Sequence, residues 1–265
     1  MGEKKVIDII LMMLFFIVMC LVLCTSCSKN IQRKTECYAI IAAMDIEVNL
    51  IRDQLEGMEK TELLSTPVYC GKIGNKEVVV MQCGIGKVSA AIGTQALIDK
   101  YDPDYVINTG CAGALSKDLD VGDVVLSDRV VEWDLDYRSV GYPLGYIDAL
   151  DMVEMPASEE LLKRLSSVIS EENKVVSGMI VSGDQFVSTK EQRQMILSNF
   201  PAAQCAEMEG AAVGQCCLQN KVPFCIIRSM SDNANGDSSI SFDKFSKETS
   251  EKSAYWLTEL LKKED

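Results

Sequence analysis

From Cys37 onward the chain alternates short apolar runs with amphipathic stretches, and no low-complexity linker interrupts the pattern. The run from Cys37 to Ala43 predicts a buried first strand, followed by a helix from about Ile46 to Leu55. Val68 to Gly71 and Val78 to Gln82 flank Gly74-Asn75, which is a hairpin signal. A predicted helix from Lys87 to Tyr101 leads into a strand at Tyr105 to Asn108, and Val124 to Val131 reads as another strand. Pro156 precedes a predicted helix from Ser158 to Ile169. Strands at Val175 to Val181, Ala203 to Ala206 and Val222 to Ile227 complete the sheet, with a helix from Glu209 to Leu218 between the last two. Phe242 to Leu261 reads as a long amphipathic helix. Strands alternating with helices predict one α/β sandwich without internal repeats, its sheet mixed where the hairpin enters.

The first residues follow another pattern. Lys4 and Lys5 precede the apolar stretch Ile9 to Leu23, which breaks near Thr25-Ser26-Cys27, the layout of an export signal. Thr25-Ser26-Cys27 resembles a bacterial lipoprotein cleavage box, with Cys24 where leucine is usual. On that reading residues 1–27 are a signal peptide or membrane anchor with Cys27 lipidated. Residues 28–36 are then a polar tether, and 37–265 a domain held on the extracytoplasmic side. The alternative is an uncleaved single-span anchor, since Val6 to Leu23 nearly reaches bilayer length; Asp8 weighs against it.

Composition narrows the chemistry. The 265 residues suffice for one large domain with a substantial core, and the formal net charge is -13 with no histidine. Such acidity argues against nucleic acid as a partner, because phosphate contacts need clustered lysine and arginine. Without histidine, Ser-His-Asp and Cys-His mechanisms and the usual zinc ligands are excluded, and carboxylates are left to carry acid–base work. Eleven cysteines are present, but none beyond the N-terminal segment forms a Cys-x-x-Cys pair, so no metal ribbon or redox motif is indicated. No metal, nicotinamide or nucleotide cofactor is expected.

The candidate chemistry lies where predicted strands end. In chain order these segments are Ala43-Met44-Asp45-Ile46-Glu47, Cys83-Gly84-Ile85-Gly86-Lys87 and Asn108-Thr109-Gly110-Cys111-Ala112-Gly113. They continue with Val181-Ser182-Gly183-Asp184-Gln185-Phe186, Glu207-Met208-Glu209 and Arg228-Ser229-Met230-Ser231-Asp232. In open α/β sheets ligands bind at the carboxyl ends of strands, so these ends can share one crevice. Carboxyl groups whose pKa burial can shift are the material of general acid–base catalysis. The plainer reading of Glu209 is an acid at a helix N-terminus, and of Phe186, Met208 and Ile85 core packing.

On these segments, and from Tyr38 to about Lys262, the chain resembles the 5′-methylthioadenosine/S-adenosylhomocysteine nucleosidases of the nucleoside phosphorylase superfamily. The resemblance implies a three-layer α/β/α sandwich around a mixed, partly barrel-like sheet, and a homodimer. It implies hydrolysis of an N-glycosidic bond to adenine and a 5-thio-substituted ribose. Asp232 matches the general acid that protonates adenine N7, a role needing a raised pKa or a proton shared with the purine. Glu47 matches the carboxylate that activates water, and Arg228 a residue that helps orient water and carboxylate. Glu209 matches the group that holds the ribose hydroxyls. Phe186 matches the ring that stacks on adenine, and Val187 gives backbone hydrogen bonds to the base edge. Ser231 is implied beside the acid, Met208 under the ribose, and Met44 and Ile85 along the sugar and 5′-thio region. Tyr142 corresponds to a segment that closes the thioalkyl pocket of the partner subunit.

Cys111 stands where the family usually has serine, in the substrate-binding loop. Val140 stands where an aromatic residue is common, which implies a looser 5′ pocket. Phosphorylases of the same fold need arginines for phosphate; the glycine segments here offer Lys87 alone. Two alternatives stay open: a 5′-deoxyadenosine or futalosine type of hydrolase, and an anchored nucleoside-binding or interaction protein without turnover.

Overall fold

A computed structural model describes residues 35–167, 174–232 and 238–263, with backbone only for 238–246. The expected signal or anchor with Cys27, and the tether up to residue 34, lie outside the described residues, as does the predicted helix end at Ile169. The described unit begins at Thr35, two residues before the expected boundary. Glu36 is docked on it: its carboxylate accepts from Arg164 at 3.0 Å and pairs with buried Lys76 at 3.1 Å.

The elements are β1 (Cys37–Ala42), α1 (Asp45–Arg52), β2 (Glu56–Leu63), β3 (Thr66–Ile73), β4 (Lys76–Gln82) and α2 (Lys87–Tyr101). There follow β5 (Tyr105–Ala114), β6 (Val124–Glu132), β7 (Met155–Pro156), α3 (Glu159–Ser166), β8 (Val175–Ser182) and α4 (Lys190–Asn199). The chain closes with β9 (Ala203–Glu207), α5 (Gly210–Asn220), β10 (Phe224–Asp232) and α6 (Ser238–Lys262). The sheet runs β10-β6-β8-β9-β5-β1-β4-β3-β2, and β10 also pairs with β5. That extra pairing closes β5, β10, β6, β8 and β9 into a five-stranded barrel, from which β1 to β4 extend as an open wing. The sheet is mixed: β1 is parallel to β4 and β5, and β10 to β5, whereas β9 meets β5 antiparallel.

Side-chain alternation along β1 explains the layers. Cys37, Ala39 and Ile41 join a core with Ala90 and Leu97 of α2 and Ala211 and Val213 of α5. Tyr38, Ile40 and Ala42 face the other way, onto Val48 and Ile51 of α1 and Trp256, Leu257 and Leu260 of α6. The result is helices on both faces of the sheet. A third cluster, including Val181, Trp133, Ile196 and Phe200, seats α4. Among the described residues no helix is long and apolar enough to cross a membrane.

Beyond shifted ends and the short β7, the elements depart from the sequence reading in three places. β2 and α4 are absent from it: β2 is an edge strand of mostly exposed, charged residues, and α4 shows no clear apolar stripe. The segment Gly110-Cys111-Ala112-Gly113, expected as a loop, is the last stretch of β5. There it stays paired with β10 up to Asp232 opposite Gly113, and with Ala206 of β9.

Candidate active site

Four carboxylates line one cavity, and three of them, Glu47, Glu209 and Asp232, reach it from three directions. Glu47 comes from the first turn of α1, whose N-cap, Met44, follows β1. Its Oε2 accepts the Ala43 and Met44 N–H groups at 3.1 and 2.9 Å, and its Oε1 accepts Cys111 N–H at 3.2 Å. Glycine at 110 makes room, for a Cβ there would lie 2.5 Å from Glu47 Oε1. Asp232 ends β10; its Oδ1 accepts Ala114 N–H at 2.9 Å, and its Oδ2 accepts Arg193 Nη2 at 3.1 Å. Glu209 occupies the N-cap position of α5, but its side chain reaches across to the N-cap of α2, where Oε1 accepts Gly86 N–H at 2.9 Å. The acid that caps α5 is Glu207, which accepts Glu209 N–H at 3.0 Å and Gly210 N–H at 2.8 Å. The helix-terminus reading offered for Glu209 thus belongs to its neighbour.

Arg228, fully buried within β10, organises the charges behind the cavity. Its Nη2 donates to Glu207 Oε2 and, at 2.5 Å, to Asn108 Oδ1, and stands 3.6 Å from Glu209 Oε2. Burial works against its charge, yet Glu207, Glu209 and Glu47 together hold the guanidinium above its ordinary value. Burial pushes the Glu47 carboxyl up, opposed by Arg228. Burial and then the Glu207 charge push Glu209 up to about 7. The Cys111 thiol, whose Sγ lies 3.7 Å from Glu47 Oε1, is also raised, first by burial and then by Glu47.

The cavity measures about 350 Å³, within the range of small-molecule sites. Glu47, Glu209 and Asp232 line it, together with Met44, Ile85 and Cys111. Phe186, Val187, Met208 and Ser231 complete the predicted set on its walls. Phe186 and Ile85 stand at the open side, 48% and 60% exposed, which argues against plain core packing for both. The Ser231 hydroxyl donates to Ala112 O at 3.3 Å, while Asp232 is held by Ala114 and Arg193. Arg228 lies behind the wall. Tyr142 does not line its own chain's cavity; it is 41% exposed and packs on Tyr137 and Tyr146. Among the described residues no lysine or arginine lines the cavity, and no cluster of His, Cys, Asp and Glu is placed to hold a metal ion.

Comparison with known proteins agrees with this geometry. Residues 38–262 match the phosphorylase superfamily. The 5′-methylthioadenosine/S-adenosylhomocysteine nucleosidase of Staphylococcus haemolyticus is 43% identical over 224 residues, covering 84% of this chain and 98% of that one. The chain belongs to this nucleosidase family. Among solved structures, the nucleosidase of Neisseria meningitidis in complex with methylthio-immucillin-A is similar at TM-score 0.83 and 36% identity, over 86% of this chain and 99% of that one. The futalosine hydrolase of Helicobacter pylori is similar at TM-score 0.81 and 33% identity, over 86% and 97%.

The nucleosidase-like site contains groups that sequence reading left unassigned. Glu207 carries no role in the sequence reading, yet it lines the cavity beside Glu209; nothing local in Glu207-Met208-Glu209 tells which acid caps α5 and which crosses to Gly86. Lys87, considered as a phosphate ligand, is committed elsewhere: its Nζ donates to Glu132 at 2.9 Å and Asp134 at 2.7 Å. Arg193 had no signal beyond being an arginine near the start of an unrecognised helix.

Proposed function

We propose that the chain hydrolyses the N-glycosidic bond of 5′-methylthioadenosine and S-adenosylhomocysteine, releasing adenine and a 5-thio-substituted ribose. The observation that carries this reading is the convergence of Glu47, Glu209 and Asp232 on one largely apolar cavity that no lysine or arginine lines among the described residues. An anionic nucleophile such as phosphate would face buried carboxylates with no arginine to hold it, whereas water suits Glu47. In the proposed reaction Glu47, its basicity raised by burial, takes a proton from water as the oxygen bonds to C1′. The C1′–N9 bond breaks, its electron pair passes to the purine, and Asp232 delivers at N7 the proton that it shares with the bound base. The layout parallels inverting glycoside hydrolysis, with base and acid on opposite sides of the sugar. Glu209 accepts from the ribose hydroxyls, and its charge favours an oxocarbenium-like sugar. Phe186 stacks on the base and Val187 meets its edge.

The test is adenine release from 5′-methylthioadenosine without phosphate, by protein starting at Ser28, beside Asp232→Asn. Release by wild type that falls at least about 100-fold in the variant supports the reading. No release with or without phosphate contradicts it.

The futalosine hydrolase likeness supports a second substrate class, since the distinction lies in the 5′ pocket. Comparing 5′-methylthioadenosine, S-adenosylhomocysteine, 5′-deoxyadenosine and futalosine by kcat/KM decides between them. A binding protein without turnover is disfavoured by the intact carboxylate set.

The proposal extends to assembly and location. A homodimer is supported by the exposed apolar residues of α2, Val88 at 68% and Ile92 at 53%, and by Tyr142, which does not line its own chain's cavity. Light scattering that gives the mass of one chain would sink it. Lipidation at Cys27 and an extracytoplasmic location rest on the pattern from Lys4 to Cys27. Full protection of the protein against protease shaving of intact cells would contradict the surface location.

A further inference from the structure

Arg193 lies in the first turn of α4 and is buried, 7% exposed, yet it belongs to no part of the reaction set out above. Its Nη2 stands 3.1 Å from Asp232 Oδ2, on the oxygen opposite the one held by Ala114 N–H. A buried arginine is costly unless paired, so Arg193 and Asp232 fix each other's position. The same helix end is tied to the base side of the cavity. Gln192 Oε1 accepts the N–H groups of Ser188 and Thr189 at 3.0 and 3.1 Å, and Gln192 N–H donates to Thr189 Oγ1 at 3.2 Å. This reciprocal cap stiffens the start of α4. It follows directly on Phe186 and Val187, which line the cavity. One rigid turn therefore links the segment facing the base to the side chain that grips the acid.

We propose that Arg193 is a positioning residue for Asp232, setting the acid at a fixed distance from the base held against Phe186 and Val187. The assignment rests on the hydrolytic reading of the site. It acts through Asp232: Arg193 does not line the cavity and touches no reacting atom. Its loss should slow the departure of adenine while leaving binding of the nucleoside nearly intact.

The experiment measures adenine release from 5′-methylthioadenosine by wild type, Arg193→Gln, Asp232→Asn and the double variant, with thermal unfolding to confirm folding. Arg193→Gln is expected to lower kcat about tenfold or more with KM within about threefold, and to have no further effect in the Asp232→Asn background. Arg193→Lys, which keeps the charge but loses the fork, is expected to fold and lose less; it carries the same comparison if Arg193→Gln is unstable. An Arg193 variant that matches wild type, or whose loss multiplies fully onto that of Asp232→Asn, overturns the assignment and leaves the hydrolytic reading standing. Wild-type protein that releases no adenine overturns both.

Discussion

Glu209 Oε1 accepts the Gly86 N–H at 2.9 Å, joining positions 123 residues apart in the chain. The contact sets the Glu209 carboxylate against the start of α2, where N–H groups without intrahelical partners favour negative charge. Burial and the nearby Glu207 outweigh that help and push the Glu209 carboxyl up to about 7.

A pH dependence of stability follows. Between its ordinary value of 4.5 and about 7, Glu209 keeps its proton in the folded protein and loses it in the unfolded chain. The folded state then binds more protons, so stability falls as pH rises through this window and levels above it. Glu47, also raised, acts in the same direction. Glu209→Gln is expected to flatten the fall in unfolding midpoint from pH 4.5 to 7.5; an unchanged slope contradicts the assignment.

Gly110 is where β5 passes under Glu47. A Cβ would lie 2.5 Å from Glu47 Oε1 and 3.2 Å from Arg228 Nη1. Gly110→Ala should therefore displace Glu47, the carboxylate proposed to activate water, lowering kcat at least about tenfold and stability by about 1–3 kcal/mol. Steady-state kinetics and denaturant unfolding check both, and wild-type kcat would show that Glu47 tolerates the shift.

Arg228 holds the buried carboxylates together. Arg228→Met leaves Glu207 uncompensated, at an expected cost of about 3–5 kcal/mol. Adding Glu207→Gln removes that charge while retaining an acceptor for the α5 N–H groups. The double variant should be more stable than Arg228→Met alone, a non-additivity that equilibrium unfolding can measure. Strict additivity would mean that the pair contributes no coupling.

Cys111 stands on the cavity wall, yet burial and Glu47 suppress its thiolate. Thiolate is the reactive form, so iodoacetamide at pH 7.5 is expected to leave activity within about twofold of untreated enzyme. Rapid inactivation protected by substrate would show an activated thiol instead.

Much of this molecule was legible before its coordinates. Apolar runs located the buried strands, α2 was bounded correctly at Lys87 and Tyr101, and Gly74-Asn75 marked the turn between β3 and β4. Ten of the twelve residues expected at the catalytic or substrate site line one cavity. What escaped depends on partners distant in sequence. β2 is held by pairing with β3 rather than by its own charged residues, and β5 runs on past Asn108 because β10 and β9 pair with it. Nothing local to Glu207 or Glu209 tells which caps its own helix and which crosses to Gly86. Arg193 meets Asp232 across 39 residues, a contact that only the fold creates.

The most direct test of the hydrolytic account is the fate of oxygen. The protein is given 5′-methylthioadenosine in ¹⁸O-labelled water, with and without phosphate, and the sugar product is analysed by mass spectrometry. The account predicts adenine with a 5-methylthioribose carrying one ¹⁸O when first formed, regardless of phosphate, and near-total loss of both products in Glu47→Gln. A sugar 1-phosphate, formed only when phosphate is present, would contradict it.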